Sequence, residues 1–127
     1  GVGFFEAHGF YPDFILWLVE KEHQYISFID PKGLRQIKGF HEEKLNFYKT
    51  IKDKIEANVR EKDPDITLNA FIISPTLFED VSHWQGGERI INFNAKHVYF
   101  INEQKEIYIR IMLDTIINES KKLEEVR

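Results

Sequence analysis

Apolar positions along this chain fall into two rhythms. Every position from Phe14 to Val19 is apolar, and from Tyr25 to Ile29 only Ser27 interrupts a second apolar run. Both runs are short and rich in β-branched and aromatic residues, which predicts two strands. The polar stretch Glu20-Lys21-Glu22-His23 has the length of a hairpin connection. Pro12 is tolerated at the start of the first strand, where no ladder donor is needed, and Pro31 with Gly33 stops the second. From Phe40 to about Glu61 the spacing lengthens. Leu45, Tyr48, Ile51, Ile55 and Val59 recur in steps of three and four, which predicts a helix with one apolar stripe. Glu42 and Glu43 suit its first turn, where the helix dipole favours anions.

Asp63-Pro64-Asp65 ends that helix. Ile66 to Ser74 then predicts a third strand, and Ala70-Phe71-Ile72-Ile73 implies burial on both of its faces. Pro75 closes it. The stretch 76–96 has the weakest pattern: a short helix over Phe78 to Trp84, then a turn at Gly86-Gly87. His97 to Ile101 reads as a further strand. The helix from Glu103 onward has Ile109, Met112, Leu113, Ile116 and Ile117 as its core face. Phe4-Phe5 reads as a short entering strand, with a turn at His8-Gly9. The resulting order, strand-strand-strand-helix-strand-strand-helix, is that of an α/β sandwich with a mixed central sheet flanked by helices.

A chain of 127 residues is one domain on this reading, long enough to bury a core unaided. It opens on Gly1-Val2-Gly3, as a fragment of a larger protein would. There is no cysteine, so disulfides and thiolate metal sites are excluded, and a reducing, cytoplasmic location is expected. No apolar run reaches the roughly 18 residues of a membrane helix, so no membrane partner is expected. The net charge of −4 argues against a domain that grips nucleic acid through its overall field. Its distribution is uneven, however. Residues 1–60 carry nine Lys/Arg against nine Asp/Glu, and residues 61–127 carry eight against twelve. Between Pro31 and His41 stand Lys32, Arg35 and Lys38 with no acid among them.

That basic stretch begins beside Asp30. In an antiparallel hairpin, Asp13 starts the first strand and Asp30 follows the second, so both carboxylates reach the same open end. Adjacent strands lie about 4.8 Å apart, and two carboxylates at that separation repel unless a cation or proton intervenes. Oxygen-only ligands suit Mg²⁺, or Mn²⁺, better than Zn²⁺. If the extended run continues past Asp30, Lys32 returns to the same face. A divalent cation beside an ammonium is the equipment of phosphodiester hydrolysis. Taken singly, Asp13 also suits a turn after proline, and Asp30-Pro31-Lys32-Gly33 a surface turn with a salt bridge.

Pro12-Asp13, sixteen intervening residues, then Asp30-Pro31-Lys32 resembles the PD-(D/E)xK nuclease superfamily. The wider pattern, "FYPDFILWL", "ISFIDPKGL", "EEKLNFYKTIK", "FIISPT" and "HVYFINEQKEIYIRIML", is similar to the nuclease domain that follows the helicase motor in type III restriction subunits. The resemblance covers about Phe10 to Leu113. It implies a restriction-endonuclease-like sandwich and a metal-dependent DNA endonuclease. The implied partners are double-stranded DNA, a helicase/ATPase domain of the parent chain and a modification subunit. It further implies that Asp13 and Asp30 are metal ligands, joined by the Pro31 carbonyl. Lys32 would orient or activate the attacking water, and Lys44 on the following helix would join the catalytic group. Relatives often carry a Glu on a preceding helix. Glu6 is the one candidate, although "GFFEAHG" lacks a helical pattern.

Other residues keep two readings. Arg35 and Lys38 suit phosphate contacts or a solvated loop, and Lys44 the site or a solvated helix face. Trp17 reads as core; Trp84 reads as core or as a DNA-facing platform. The histidines (8, 23, 41, 83, 97) show no paired metal-ligand spacing, although His8 lies close to Asp13 in sequence. A non-catalytic DNA-binding or scaffold module with the same fold is the alternative function.

Overall fold

The computed structural model describes residues 5, 7, 9–35, 37, 39–81 and 87–126, the last eight of these as main chain alone. Glu6, His8, Lys38, His83 and Trp84 lie outside the described residues, as do Phe4 and Gly86.

Four strands form one mixed sheet in the order β1-β2-β3-β4. Strand β1 (Phe14–Glu20) and β2 (His23–Pro31) make the hairpin that the apolar runs predict, in a register that pairs Phe14 with Ile29 and Glu20 with His23. Its turn places Lys21 at φ +57°. Strand β3 (Ile66–Ser74) runs parallel to β2, and the short β4 (Val98–Phe100) runs parallel to β3. Between β2 and β3 the chain must cross over, and helix α1 (43–62) makes the crossing. It opens with a 3₁₀ turn (Glu43–Asn46), continues as α-helix (Phe47–Thr50), widens to a π-turn (Ile51–Glu56) and closes as α-helix (Ala57–Lys62). Beyond β3 come a 3₁₀ turn (Phe78–Val81), helix α2 (Ile90–Ala95) and, after β4, helix α3 (Tyr108–Val126).

The sheet carries a core on each face, because side chains alternate along every strand. On one face Leu68, Ala70 and Ile72 of β3 pack with Leu45, Phe47 and Ile51 of α1 and with Phe93 of α2. On the other, Tyr25, Ile29, Phe71 and Tyr99 pack with Met112 and Ile116 of α3. This is an α/β fold with helices on both faces. Among the described residues, no helix is long and apolar enough to cross a membrane.

The widened π-turn has a packing role. Strand β4 borders β3 only from Ile72 onward, so among the described residues no strand flanks the first half of β3 on that side. The carboxylate of Glu56, carried inward by the π-turn, takes the missing place: its Oε2 accepts the Leu68 N–H at 2.7 Å and the Lys52 ammonium at 2.9 Å. A buried main-chain donor is thereby satisfied.

Several expectations need correction. Phe5 has helical backbone, not that of an entering strand. Helix α1 begins at Glu43 and not Phe40, because Phe40 and His41 form a turn. The last helix begins at Tyr108; 101–107 is a series of turns. Within the stretch 76–96 the sequence pattern missed α2. Ile109 is exposed and does not belong to the core face of α3. Trp17 is 61 % exposed and is not core, because β1 is an edge strand and no described helix lies over that part of the sheet. Asp30 is no surface-turn residue: it lies within β2 and is 3 % exposed.

Candidate active site

One end of the β1–β2 hairpin gathers the residues that the sequence singles out. Asp13 sits one step before β1, and its amide donates at 3.0 Å to the carbonyl of Ile29, the residue already paired with Phe14. Asp13 and Phe14 together therefore oppose Ile29, while Asp13 lies near enough to Asp30 to act on its charge. The Asp13 side chain is exposed and that of Asp30 is buried, so the two carboxylates differ sharply in solvation. Lys32 lies two residues past Asp30, and its amide donates to Ile73 of β3 at 3.0 Å, which continues the extended path. The alternation of a strand therefore returns its side chain to the Asp30 face. Lys32 Nζ stands 4.0 Å from Asp30 Oδ2.

A strap of main chain, residues 9–13, holds this pair from above. The Tyr11 amide donates to Asp30 Oδ2 at 3.0 Å, and Lys32 Nζ donates to the Gly9 carbonyl. Lys32 Nζ also lies 5.7 Å from the centre of the Tyr11 ring. Gly9 has φ +69°, a conformation that L side chains rarely adopt. A Cβ at Gly9 would come within 3.0 Å of Lys44 Cε, so the Lys44 stem lies along the strap. Lys44 thus reaches the site from the first turn of α1. Burial holds the Lys32 pKa below the usual lysine range, Asp30 opposing it, and the Lys44 ammonium adds to the lowering while Glu42 opposes it.

Asp30 is shifted the other way. Burial pushes its carboxyl above the usual range and Asp13 adds to the rise, against the Tyr11 amide and Lys32. Ionised Asp30 is thus an incompletely compensated buried anion, an environment that an added cation relieves. Pro31 closes β2 and is exposed, and the carboxylates of Asp13 and Asp30 are oxygen donors of the kind that suits a hard cation such as Mg²⁺ or Mn²⁺. Among the described residues, no group of three or more His, Asp or Glu gathers at one point. A cation at this end would hence complete its shell with water or substrate oxygens.

Beside Asp13 opens an apolar groove of about 460 Å³, lined by Phe5, Tyr11, Pro12, Ile15 and Phe28 among others. Arg35 is exposed and pairs with Asp80 at 2.9 Å. Of the remaining candidates, Glu6, His8 and Lys38 lie outside the described residues. Three contributors escaped the sequence reading. Gly9 and Tyr11 act through main-chain atoms, which carry no side-chain signal, although a glycine three residues before Pro12 hinted at a tight approach. Glu42 suited a helix start equally well. Comparisons with protein-family models, with curated proteins and with solved structures find no match to this chain.

Proposed function

We propose that this chain is a divalent-cation-dependent endonuclease domain that hydrolyses phosphodiester bonds of double-stranded DNA. In this reading the α/β fold is a restriction-endonuclease-like sandwich, and the parent is a helicase-nuclease of the type III restriction kind with a modification subunit as partner. The observation that carries it is the meeting of Asp13, buried Asp30 and Lys32 at one end of a β-hairpin, with Lys32 Nζ 4.0 Å from Asp30.

Asp13, Asp30 and the Pro31 carbonyl would hold Mg²⁺ or Mn²⁺. Such an ion, when bound, acidifies water and offsets charge on a phosphate. Lys32 exchanges its bond to the Gly9 carbonyl for one to the attacking water or to a phosphate oxygen. Its lowered pKa makes its proton easier to give up than that of a free lysine. Lys44 adds a second positive charge at the edge of the site, and Arg35 and Lys38 supply backbone contacts along the acid-free loop. Plasmid nicking in Mg²⁺ tests the reading. Asp30→Ala is expected to lower the rate by roughly 100-fold or more, the scale on which preorganised charge acts in such sites. Equal nicking by wild type and variant would refute it.

A second reading is favoured by one contact. Lys32 is bonded to the Gly9 carbonyl and Asp30 to the Tyr11 amide, so the same pair serves equally as a clasp that fastens the strap in a non-catalytic scaffold. Calorimetric titration with Mg²⁺ in the presence of uncleavable DNA separates the two: the clasp predicts no heat that Asp30→Ala abolishes.

A further inference from the structure

We infer that the β4 edge of the sheet is sealed against strand addition by the chain itself, and that the paired side-chain amides of Asn94 and Gln104 form the seal.

Among the described residues, β4 stands last in the sheet, with β3 on its one paired side. The Ile72 amide donates to the His97 carbonyl and the Ile101 amide to the Ser74 carbonyl. Peptide groups alternate in direction along a strand, so the outward N–H and C=O groups of β4 are those of Val98 and Phe100. Such an edge is a template for another strand. Two common deterrents are missing: no charged residue or proline stands between His97 and Ile101. Val98, Tyr99 and Phe100 are moreover good strand formers.

Hydrogen bonds close this edge instead. The Phe100 N–H donates to Gln104 Oε1 at 2.9 Å, and the Phe100 carbonyl accepts the Gln104 N–H at 2.8 Å. Gln104 thus offers Phe100 one acceptor and one donor, as a residue of a neighbouring strand would. The Val98 carbonyl accepts Asn94 Nδ2 at 2.9 Å. These contacts dictate how both amides lie: Gln104 points its oxygen at Phe100, and Asn94 its nitrogen at Val98. In those orientations the two amides fit each other. Gln104 Nε2 donates to Asn94 Oδ1 at 2.7 Å, and Asn94 Nδ2 donates to Gln104 Oε1 at 3.1 Å. Gln104 is buried, where an unpaired member of the network would be costly.

The same device continues along β3. Glu56 takes the Leu68 N–H, and Nδ1 of the His97 ring lies 3.1 Å from the Ala70 carbonyl. An incoming strand would have to displace side chains of α1, of α2 and of the turn before α3 to reach this side of the sheet. The inference goes beyond the nuclease reading and does not rest on it, since β3 separates β4 from the β1–β2 hairpin.

Gln104→Leu keeps much of the side chain's bulk and removes its oxygen and nitrogen. Amide hydrogen exchange of the full chain at low concentration should find the Phe100 amide about tenfold less protected than in wild type. At high concentration that protection should return as a strand of a second molecule takes the edge, and light scattering should rise above the wild-type value. The Ile72 amide, bonded to His97 inside the sheet at 2.8 Å, is the internal reference and should stay protected throughout. Asn102→Ala removes a bond to the Pro75 carbonyl from the same turn without touching β4, and should behave as wild type. Asn94→Ala uncovers the Val98 carbonyl but leaves Phe100 on Gln104, so it should associate more than wild type and less than Gln104→Leu. A folded Gln104→Leu that scatters as wild type does at every concentration, or whose Phe100 protection never returns, overturns the inference. If Gln104→Leu loses protection at Ile72 and so fails to fold, Asn94→Ala decides: association no greater than wild type overturns the inference equally.

Discussion

Replacing Lys32 by Met, alone and together with Asp30→Asn, separates a site built for chemistry from one built for stability. At 4.0 Å and an effective dielectric near 20, two unit charges attract by about 4 kcal/mol. The Lys32 side chain keeps 17 % of its surface in water, which screens part of that attraction. The Asp30 carboxyl nonetheless stays above its usual range, chiefly through burial, so the ion pair does not offset the cost of burying its acid. Lys32→Met strips the buried anion of its counter-charge. It should cost ~2–3 kcal/mol, somewhat below the figure for a fully buried pair because of the residual exposure. Adding Asp30→Asn removes the anion but keeps an oxygen for the Tyr11 amide. The double variant should therefore return to within ~1 kcal/mol of wild type or exceed it, as neutralised buried pairs often do. Urea unfolding at neutral pH measures all three proteins. Added Mg²⁺ should raise the wild-type midpoint and leave the double variant unmoved, since only a folded state that binds the ion is stabilised by it. A double variant as unstable as Lys32→Met alone would refute the reasoning, and the clasp would then be the better account of this pair.

Two further outcomes follow from other contacts. Burial raises the Asp30 pKa in the folded protein, so its relative contribution to stability is fully present below the unfolded carboxylate value. That contribution is lost as pH rises through the folded one. The stability of wild type minus that of Asp30→Asn should accordingly decline across that acid window in urea midpoints taken at several pH values; a rise would reverse the assigned cause. At Glu56, substitution by Ala leaves the Leu68 N–H without its 2.7 Å acceptor and should cost ~2–3 kcal/mol. Glu56→Gln keeps an acceptor oxygen and should cost under ~1 kcal/mol; equal losses would show that the carboxylate does not stand in for a strand.

The part of this fold that sequence exposes best is the part with strict period and clear punctuation. The β1–β2 hairpin, its turn and β3 were legible because mostly apolar runs end at Pro, Gly or charged clusters. That Asp13 and Asp30 fall at the same end of the sheet followed from hairpin geometry, and the position of Lys32 from strand alternation, but not that Asp13 opposes Ile29. The π-turn was not legible, because the stripe from Leu45 to Val59 fits a regular helix, and the inward turn of Glu56 depends on an unpaired amide in β3. Helix α2 was hidden for a simpler reason: "RIINFNAKH" is short and rich in asparagine, a weak helix former. Trp17 misled because a strand apolar on both faces reads as central. Nothing local states that a neighbouring helix stops short of it. The strap contributes peptide groups and not side chains, so its part in the site became visible only in three dimensions.

Most of the described groups that hold the strap and the Asp30–Lys32 pair fall between Gly9 and Lys44; the Phe5 and Ile73 carbonyls and the Phe47 ring stacked on Phe10 are contributed from outside that span. The later two-thirds of the chain, with β3, β4 and α3, act as a buttress. An engineer is therefore free to harden much of that buttress, residue by residue, while leaving the Asp30–Lys32 pair and its strap alone. Conversely, two polypeptides sharing only the first fifty or so positions would be expected to share the Asp30–Lys32 pair and most of the groups around it while diverging elsewhere.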